Sequence, residues 1–217
     1  MLFKWAKTAI IFIVSLTYTF FPAITSVHPP TDTYLFIDKD KLESGDLIFR
    51  RGLSFVSQMV LMADNRSPFS HVGIIYKNNK DAFVIHAVPD ESEDGNDIVK
   101  LDPINEFLKI NRAVEYAVYR IKNSNPLTTK ANAVKIALEY ANKKIPFDSK
   151  FDLEDSNELY CTELVWKSYK GAGLDLIDNN FDHLIVPMGS DKYILPGSLI
   201  NSPHLTQITL NSNYSED

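Results

Sequence analysis

Two runs of β-forming residues with a polar break between them constrain this chain more than any other feature. The first is Ser70-His71-Val72-Gly73-Ile74-Ile75-Tyr76 and the second is Ala82-Phe83-Val84-Ile85-His86-Ala87-Val88, closed by Pro89. Both are rich in β-branched and aromatic residues, and Lys77 to Asp81 between them reads as a turn. Strands joined by a tight turn pair antiparallel. A residue early in the first strand then lies beside one late in the second. His71 and His86 are therefore expected at the same end of one hairpin, where one imidazole can fix the tautomer of the other. Each also has a plainer reading, His71 as a strand-end residue bonding a backbone group and His86 as a satisfied core histidine.

The rest of the chain supplies a sheet around this hairpin and helices to cover it. Gly45 gives a turn into a strand beginning at Leu47 to Phe49, and Asp97–Leu101 and Val114–Ile121 read as further strands. Apolar residues at Phe55, Val56, Met59, Val60 and Ala63 have helical spacing and predict a core-facing helix over Leu53–Ala63. Asp102 is expected to cap a short helix with Pro103 at its first position. Pro126–Asn142 is amphipathic, with Ala131, Val134, Leu138 and Ala141 on one face. Ile145–Asp155 reads as an aromatic, acidic loop, and the tail from Leu174, with Ile194-Leu195-Pro196-Gly197, as a closing strand and loop. The sum is an α+β fold, an antiparallel sheet packed with helices. At 217 residues it makes one domain, residues 27–217, behind an N-terminal segment.

Cys161 is the only cysteine. It follows the capping residues Asp155, Ser156 and Asn157 and precedes the apolar pattern Leu164, Val165, Trp166, Tyr169, which places it in the first turn of a helix. Unpaired N–H groups and the positive end of the helix dipole favour a thiolate there. With His71 nearby, the thiol is expected to ionise below its usual ~8.5. The alternative is an inert cysteine acting as a small hydrophobe. His71, His86 and Cys161 are also zinc-ligand types, but the usual close ligand pairs are missing, so no metal or other cofactor is expected. His28, His183 and His204 have no surroundings that suggest chemistry.

Residues 1–26 have the layout of a secretory signal or an uncleaved membrane anchor. Lys4 and Lys7 precede an apolar run from Ala9 to Phe21, with Ala23 and Ser26 as small exit residues. Export to the periplasm or the extracellular space is the expectation, with membrane association through this segment as the other outcome. With no cysteine near it, lipid attachment through a lipobox is excluded. The formal net charge is −6, and no basic run exists to meet phosphates, which argues against a nucleic-acid partner. Charged residues make up 23% and apolar residues 45%, a globular composition that excludes wholesale disorder. The acidic stretch Asp90–Asp97 is expected to be a solvated loop.

Three blocks together resemble the NlpC/P60 cysteine peptidases: Gly45-Asp46-Leu47-Ile48-Phe49, Ser70-His71-Val72-Gly73-Ile74 and Val84-Ile85-His86-Ala87. In ordinary members the cysteine helix precedes the Gly-Asp-Leu strand. Here Tyr160-Cys161-Thr162-Glu163-Leu164-Val165 comes last, an order that resembles the circularly permuted papain-like branch, the YiiX/YaeF-like amidases. The resemblance runs from about Lys41 to Gly173 and includes the loop holding Pro146-Phe147-Asp148. It implies Cys161 as nucleophile, His71 as general base and His86 as the third polar residue. Some permuted members have glutamate at that third position. It also implies backbone N–H groups at the helix start as the oxyanion hole, and Tyr160 as a substrate-binding wall residue or a packing residue. The implied reaction cleaves an amide bond through a thioester, in a peptide such as those of the cell wall. A lipid acyl hydrolase or acyltransferase, or a non-catalytic binding protein on the same fold, are the alternatives.

Overall fold

The computed structural model describes residues 33–89, 91, 96–122, 126–155, 157–184 and 191–210. The N-terminal segment 1–26, most of the Ser26–Thr33 linker and most of the Asp90–Asp97 loop lie outside them. Six strands form one antiparallel sheet: β1 (Leu47–Gly52), β2 (His71–Asn78), β3 (Asp81–Ala87), β4 (Val99–Pro103), β5 (Ala113–Ile121) and β6 (Leu205–Ile208), in the order β4-β3-β2-β1-β5-β6. The helices are α1 (Phe55–Ala63), α2 (Ile104–Phe107), α3 (Pro126–Asn142), α4 (Cys161–Gly171) and α5 (Pro196–Ile200). Among the described residues no helix is long and apolar enough to cross a membrane.

Both faces of the sheet are covered. Leu47, Phe49, Val72, Ile74, Ile85 and Ala87 face α3 and α4 through Ala133, Ala137, Leu164, Val165 and Tyr169. Ile48, Ile75, Val84 and Val118 face the other way, against Phe107, Leu108 and the incoming segment at Ile37 and Leu42. The alternation along β1 and β2 is the period-2 pattern of a strand, with each face claimed by a different layer.

The Gly45-Asp46 turn is built for this junction. Gly45 has a φ of +89°, which a side chain rarely tolerates. Its carbonyl accepts the Tyr169 hydroxyl from α4. Asp46 is fully buried and takes a two-point bond from Arg120 of β5, Nε to Oδ1 at 2.8 Å and Nη2 to Oδ2 at 2.7 Å. One turn thus ties β1 to β5 and to the cysteine helix.

Three expectations need correcting. The helix over Leu53–Ala63 begins at Phe55, and none of its residues is buried, because its neighbours leave a groove beside it. Met62, for example, is 77% exposed. Asp102 does not cap a helix: β4 continues through Pro103, the helix after it has only Ile104–Phe107, and the Asp102 carboxylate turns to a histidine instead. The tail makes the expected closing strand, but Pro196-Gly197 opens α5 rather than lying in a loop.

Candidate active site

The hairpin register brings the two histidines together. Asn79 takes a left-handed φ of 40° in the turn, and Ile74 pairs with Ile85. His71 Nε2 and His86 Nδ1 lie 2.9 Å apart, both rings buried. Gly73 permits this approach. A Cβ there would stand 2.4 Å from Val84 Cγ1, 2.9 Å from the Ile85 carbonyl oxygen and 3.1 Å from His86 Cβ. The Phe107 ring packs against both imidazoles, with centroids 5.5 Å from His71 and 5.1 Å from His86.

The pair continues to a carboxylate. His86 Nε2 lies 3.1 Å from Asp102 Oδ2, and Lys100 Nζ lies 3.0 Å from the same oxygen. β4 pairs with β3 so that Lys100 is opposite His86 and Asp102 opposite Val84, which puts both residues over the imidazole. A carboxylate only accepts, so His86 Nε2 carries the proton and donates. His86 Nδ1 then accepts, His71 Nε2 donates, and the free lone pair is left on His71 Nδ1. Asp102 therefore sets the tautomer of both rings. It was not among the residues expected here, because Asp-Pro before an apolar pair carries a helix-start signal that hides its other use. The β3–β4 register is what reveals it.

Cys161 is the first residue of α4. Its cap is not the Asp155-Ser156-Asn157 run but Tyr160, in extended conformation, whose N–H donates to Glu163 Oε2 at 3.3 Å. Asp155 instead accepts the Asn157 N–H at 2.8 Å, and Ser156 lies outside the described residues. The sulfur is met by the backbone N–H groups of Val72, Thr162 and Cys161 itself. Val72 directly follows His71, so consecutive residues of β2 carry one imidazole and contact the thiol. Tyr160 is buried, lines the cleft at Cys161, and accepts the Ile194 N–H on its hydroxyl at 3.1 Å. His183 and His204 bond Asp191 and Asp178 elsewhere.

The electrostatics correct the expected low thiol pKa. Burial pushes the Cys161 thiol up to about 11, and the three N–H groups and the Arg50 charge only partly offset this. Burial, and then the charges of Arg50, His86 and Lys100, hold His71 well below its usual value. His86 is lowered by burial, with Asp102 pulling the other way. Burial opposes charge on Asp102, but bonds from His86 and Lys100 prevail and hold it well below the usual carboxylate range. Both shifts favour the neutral thiol and the neutral imidazole in the resting site. Arg50 is itself buried against Glu91, with its guanidinium carbon 4.4 Å from the Phe107 centroid.

Residues 41–209 match the family described as "Permuted papain-like amidase enzyme, YaeF/YiiX, C92 family". The chain belongs to this family. The match takes in β1–β6 and α1–α5, so cysteine amidase or peptidase is the enzyme class that membership brings. A member of known sequence, the uncharacterised YiiX of Escherichia coli (strain K12), is 28% identical over 130 residues, 60% of this chain and 58% of its own length. The crystal structure of the metalloprotein yiiX from Escherichia coli O157:H7 superposes with a TM-score of 0.61 at 22% identity. It covers 78% of this chain and 97% of that one, and shows the shared fold.

Proposed function

We propose that this permuted papain-like protein is an exported amidase that uses Cys161 as nucleophile, His71 as general base and acid, and His86 to orient His71. Asp102 stands behind His86. The observation that carries the reading is the hydrogen-bond chain from Asp102 through His86 to His71, which leaves the His71 Nδ1 lone pair unused on the strand that contacts the Cys161 sulfur.

The steps follow from that arrangement. His71 Nδ1 takes the thiol proton as the sulfur attacks the amide carbonyl. The positive charge gained by His71 stays on that ring and is stabilised, through the two hydrogen bonds that orient it, by the Asp102 carboxylate. Backbone N–H groups at the start of α4, that of Cys161 among them, stabilise the oxyanion. The proton passes to the leaving amine, and a thioester remains on Cys161. Water, deprotonated by His71, then releases the acid and restores the thiol.

The solved neighbour is described as a metalloprotein. The residues here do not fit a metal. His86 spends both ring nitrogens on His71 and Asp102, which leaves it no lone pair to donate. Among the described residues no group of three or more His, Cys, Asp or Glu side chains could hold an ion.

A cell-wall peptide remains the substrate class implied by resemblance to NlpC/P60 enzymes. The wall of the cleft favours an apolar acyl group as a second reading. Val60, Phe151, Tyr160, Tyr193, Ile194 and Leu195 surround Cys161 together with few polar groups. Incubating the purified protein with murein peptides and with N-acyl amides, and searching by intact mass for an acyl adduct on Cys161, tests the mechanism. No adduct and no turnover with either class, or turnover that survives Cys161→Ala, overturns it.

A further inference from the structure

Arg50 stands behind the two imidazoles. Strand pairing sets it opposite His71 in the β1–β2 ladder. Its side chain is buried, and its Nη1 donates to the Phe107 carbonyl at 2.7 Å. Its guanidinium stacks on the Phe107 ring, the same ring that packs against both His71 and His86. A fixed cation in that place works against the reaction. His71 must become positive when it takes the thiol proton, and a like charge nearby disfavours this. The charges that bear on His71 come from Arg50 on β1, His86 on β3 and Lys100 on β4, and Arg50 acts most strongly. Arg50 also bears on His86, which Asp102 and Glu91 pull the other way, and on Cys161 of α4.

Glu91 meets that cation. It belongs to the acidic stretch expected to be a solvated loop, yet its side chain is only 12% exposed. Its Oε1 accepts from Arg50 Nη2, and its Oε2 lies 3.8 Å from Nη1 of Arg112, the residue before β5. Its backbone carbonyl accepts from Arg112 Nη2 at 3.3 Å and from Lys100 Nζ at 3.4 Å. Lys100 in turn holds Asp102. Cations from three parts of the sheet thus fix one acid against Arg50. A buried ion pair is weak evidence for stability, because desolvation offsets its attraction. Its place behind the histidines gives it a use.

We infer that Glu91 is a positioning residue for the proton transfer: held against Arg50, its negative charge lets His71 accept the thiol proton. This rests on the amidase reading above. The proton leaves the Cys161 sulfur for His71 Nδ1, so the sulfur ends negative and the ring positive. With Glu91 in place, Arg50 is cancelled and does not oppose the positive ring. Uncancelled, it keeps the ring neutral and favours the bare thiolate.

The test compares Glu91→Gln with the double variant Arg50→Met, Glu91→Gln, both in the full chain. Glutamine keeps an acceptor for Arg50 but leaves its charge uncancelled. In Glu91→Gln, kcat on whichever of the murein peptides and N-acyl amides the parent cleaves should fall about tenfold, with KM within about twofold. The inflection of Cys161 modification by iodoacetamide, near pH 11 in the parent, should move down in Glu91→Gln. The double variant should return it to the parent value or above. Glu106→Gln removes an acid that meets Arg112 at 3.9 Å and should change neither reading. If Glu91→Gln does not fold, Arg50→Met alone serves and should move the inflection up; an unmoved or lower one overturns the inference. Parent kcat and parent inflection in Glu91→Gln overturn it. So does an inflection that falls in both the single and the double variant, which means that the site has merely opened to water, or the same changes in Glu106→Gln. Modification needs no substrate. If the parent cleaves no amide, the amidase reading fails and the inflection alone judges Glu91: a fall that the double variant reverses supports its control of the charge at the site, and no fall overturns it.

Discussion

At the scale of single residues, the histidine chain makes unequal demands on its members. Cys161→Ala should abolish turnover while leaving the thermal midpoint near that of the parent protein, read by kinetics and calorimetry together. His86 must accept from His71 and donate to Asp102. Glutamine can do both through its amide, so His86→Gln should recover part of what His86→Ala loses. His86→Glu should not, because it only accepts and sets a second carboxylate against Asp102. His86→Ala is expected to cost up to the ~10²–10⁴ typical of lost acid–base assistance, and Asp102→Ala to fall at the low end of that range in kcat with little change in KM. An Asp102→Ala enzyme with unaltered kcat would remove Asp102 from the chain. The thiol offers a direct reading of the resting state. Iodoacetamide modification of Cys161 should rise with an inflection near pH 11, since burial outweighs the helix N-terminus. An inflection below 8.5 would mean a preformed ion pair instead.

At the scale of elements, α4 carries a titrating cap. Burial raises Glu163 from 4.5 to about 7, with Lys167 only partly offsetting it from 2.8 Å. A raised folded pKa means that the folded state holds the proton more tightly. Stability from this group is full below the unfolded value of 4.5 and is lost as pH rises through about 7. The loss amounts to about 3 kcal/mol at most. Thermal melts should therefore fall between pH 4.5 and 7 in the parent and flatten in Glu163→Gln, which keeps an acceptor for the Tyr160 N–H. Asp102 works in the opposite sense and below this window: its depressed pKa gives stability above the usual carboxylate range that is lost as pH falls through the folded value. Within the sheet, Arg120→Ala strands the buried Asp46 charge. It should cost about 3–5 kcal/mol in denaturant unfolding, the range for removing one partner of a buried pair.

At the scale of the whole molecule, the proposed export makes a checkable mass. Removal of residues to Ser26 takes Lys4 and Lys7 with it and moves the formal net charge from −6 to −8. Intact mass of protein from the exported fraction should begin after Ser26, and a mass retaining residues 1–26 in the membrane fraction would identify an anchor. How far the sequence reaches is clear from particular elements. Period-2 patterning around His71 and His86, with a polar turn between, was enough to predict that the rings share one end of a hairpin, because antiparallel pairing follows from local chemistry. The helix start at Cys161 and the α+β layering were legible for the same reason. Three things required tertiary structure. Asp102 joins the site through strand pairing with β3, a non-local register that overrides its local capping signal. The α1 pattern looks like a core helix, yet whether an apolar face is buried depends on what packs against it, and here a groove does. The thiol's ionisation is set by burial among residues distant in the chain, Tyr193 and Ile194 among them, and local sequence holds only the helix-terminus part of that balance.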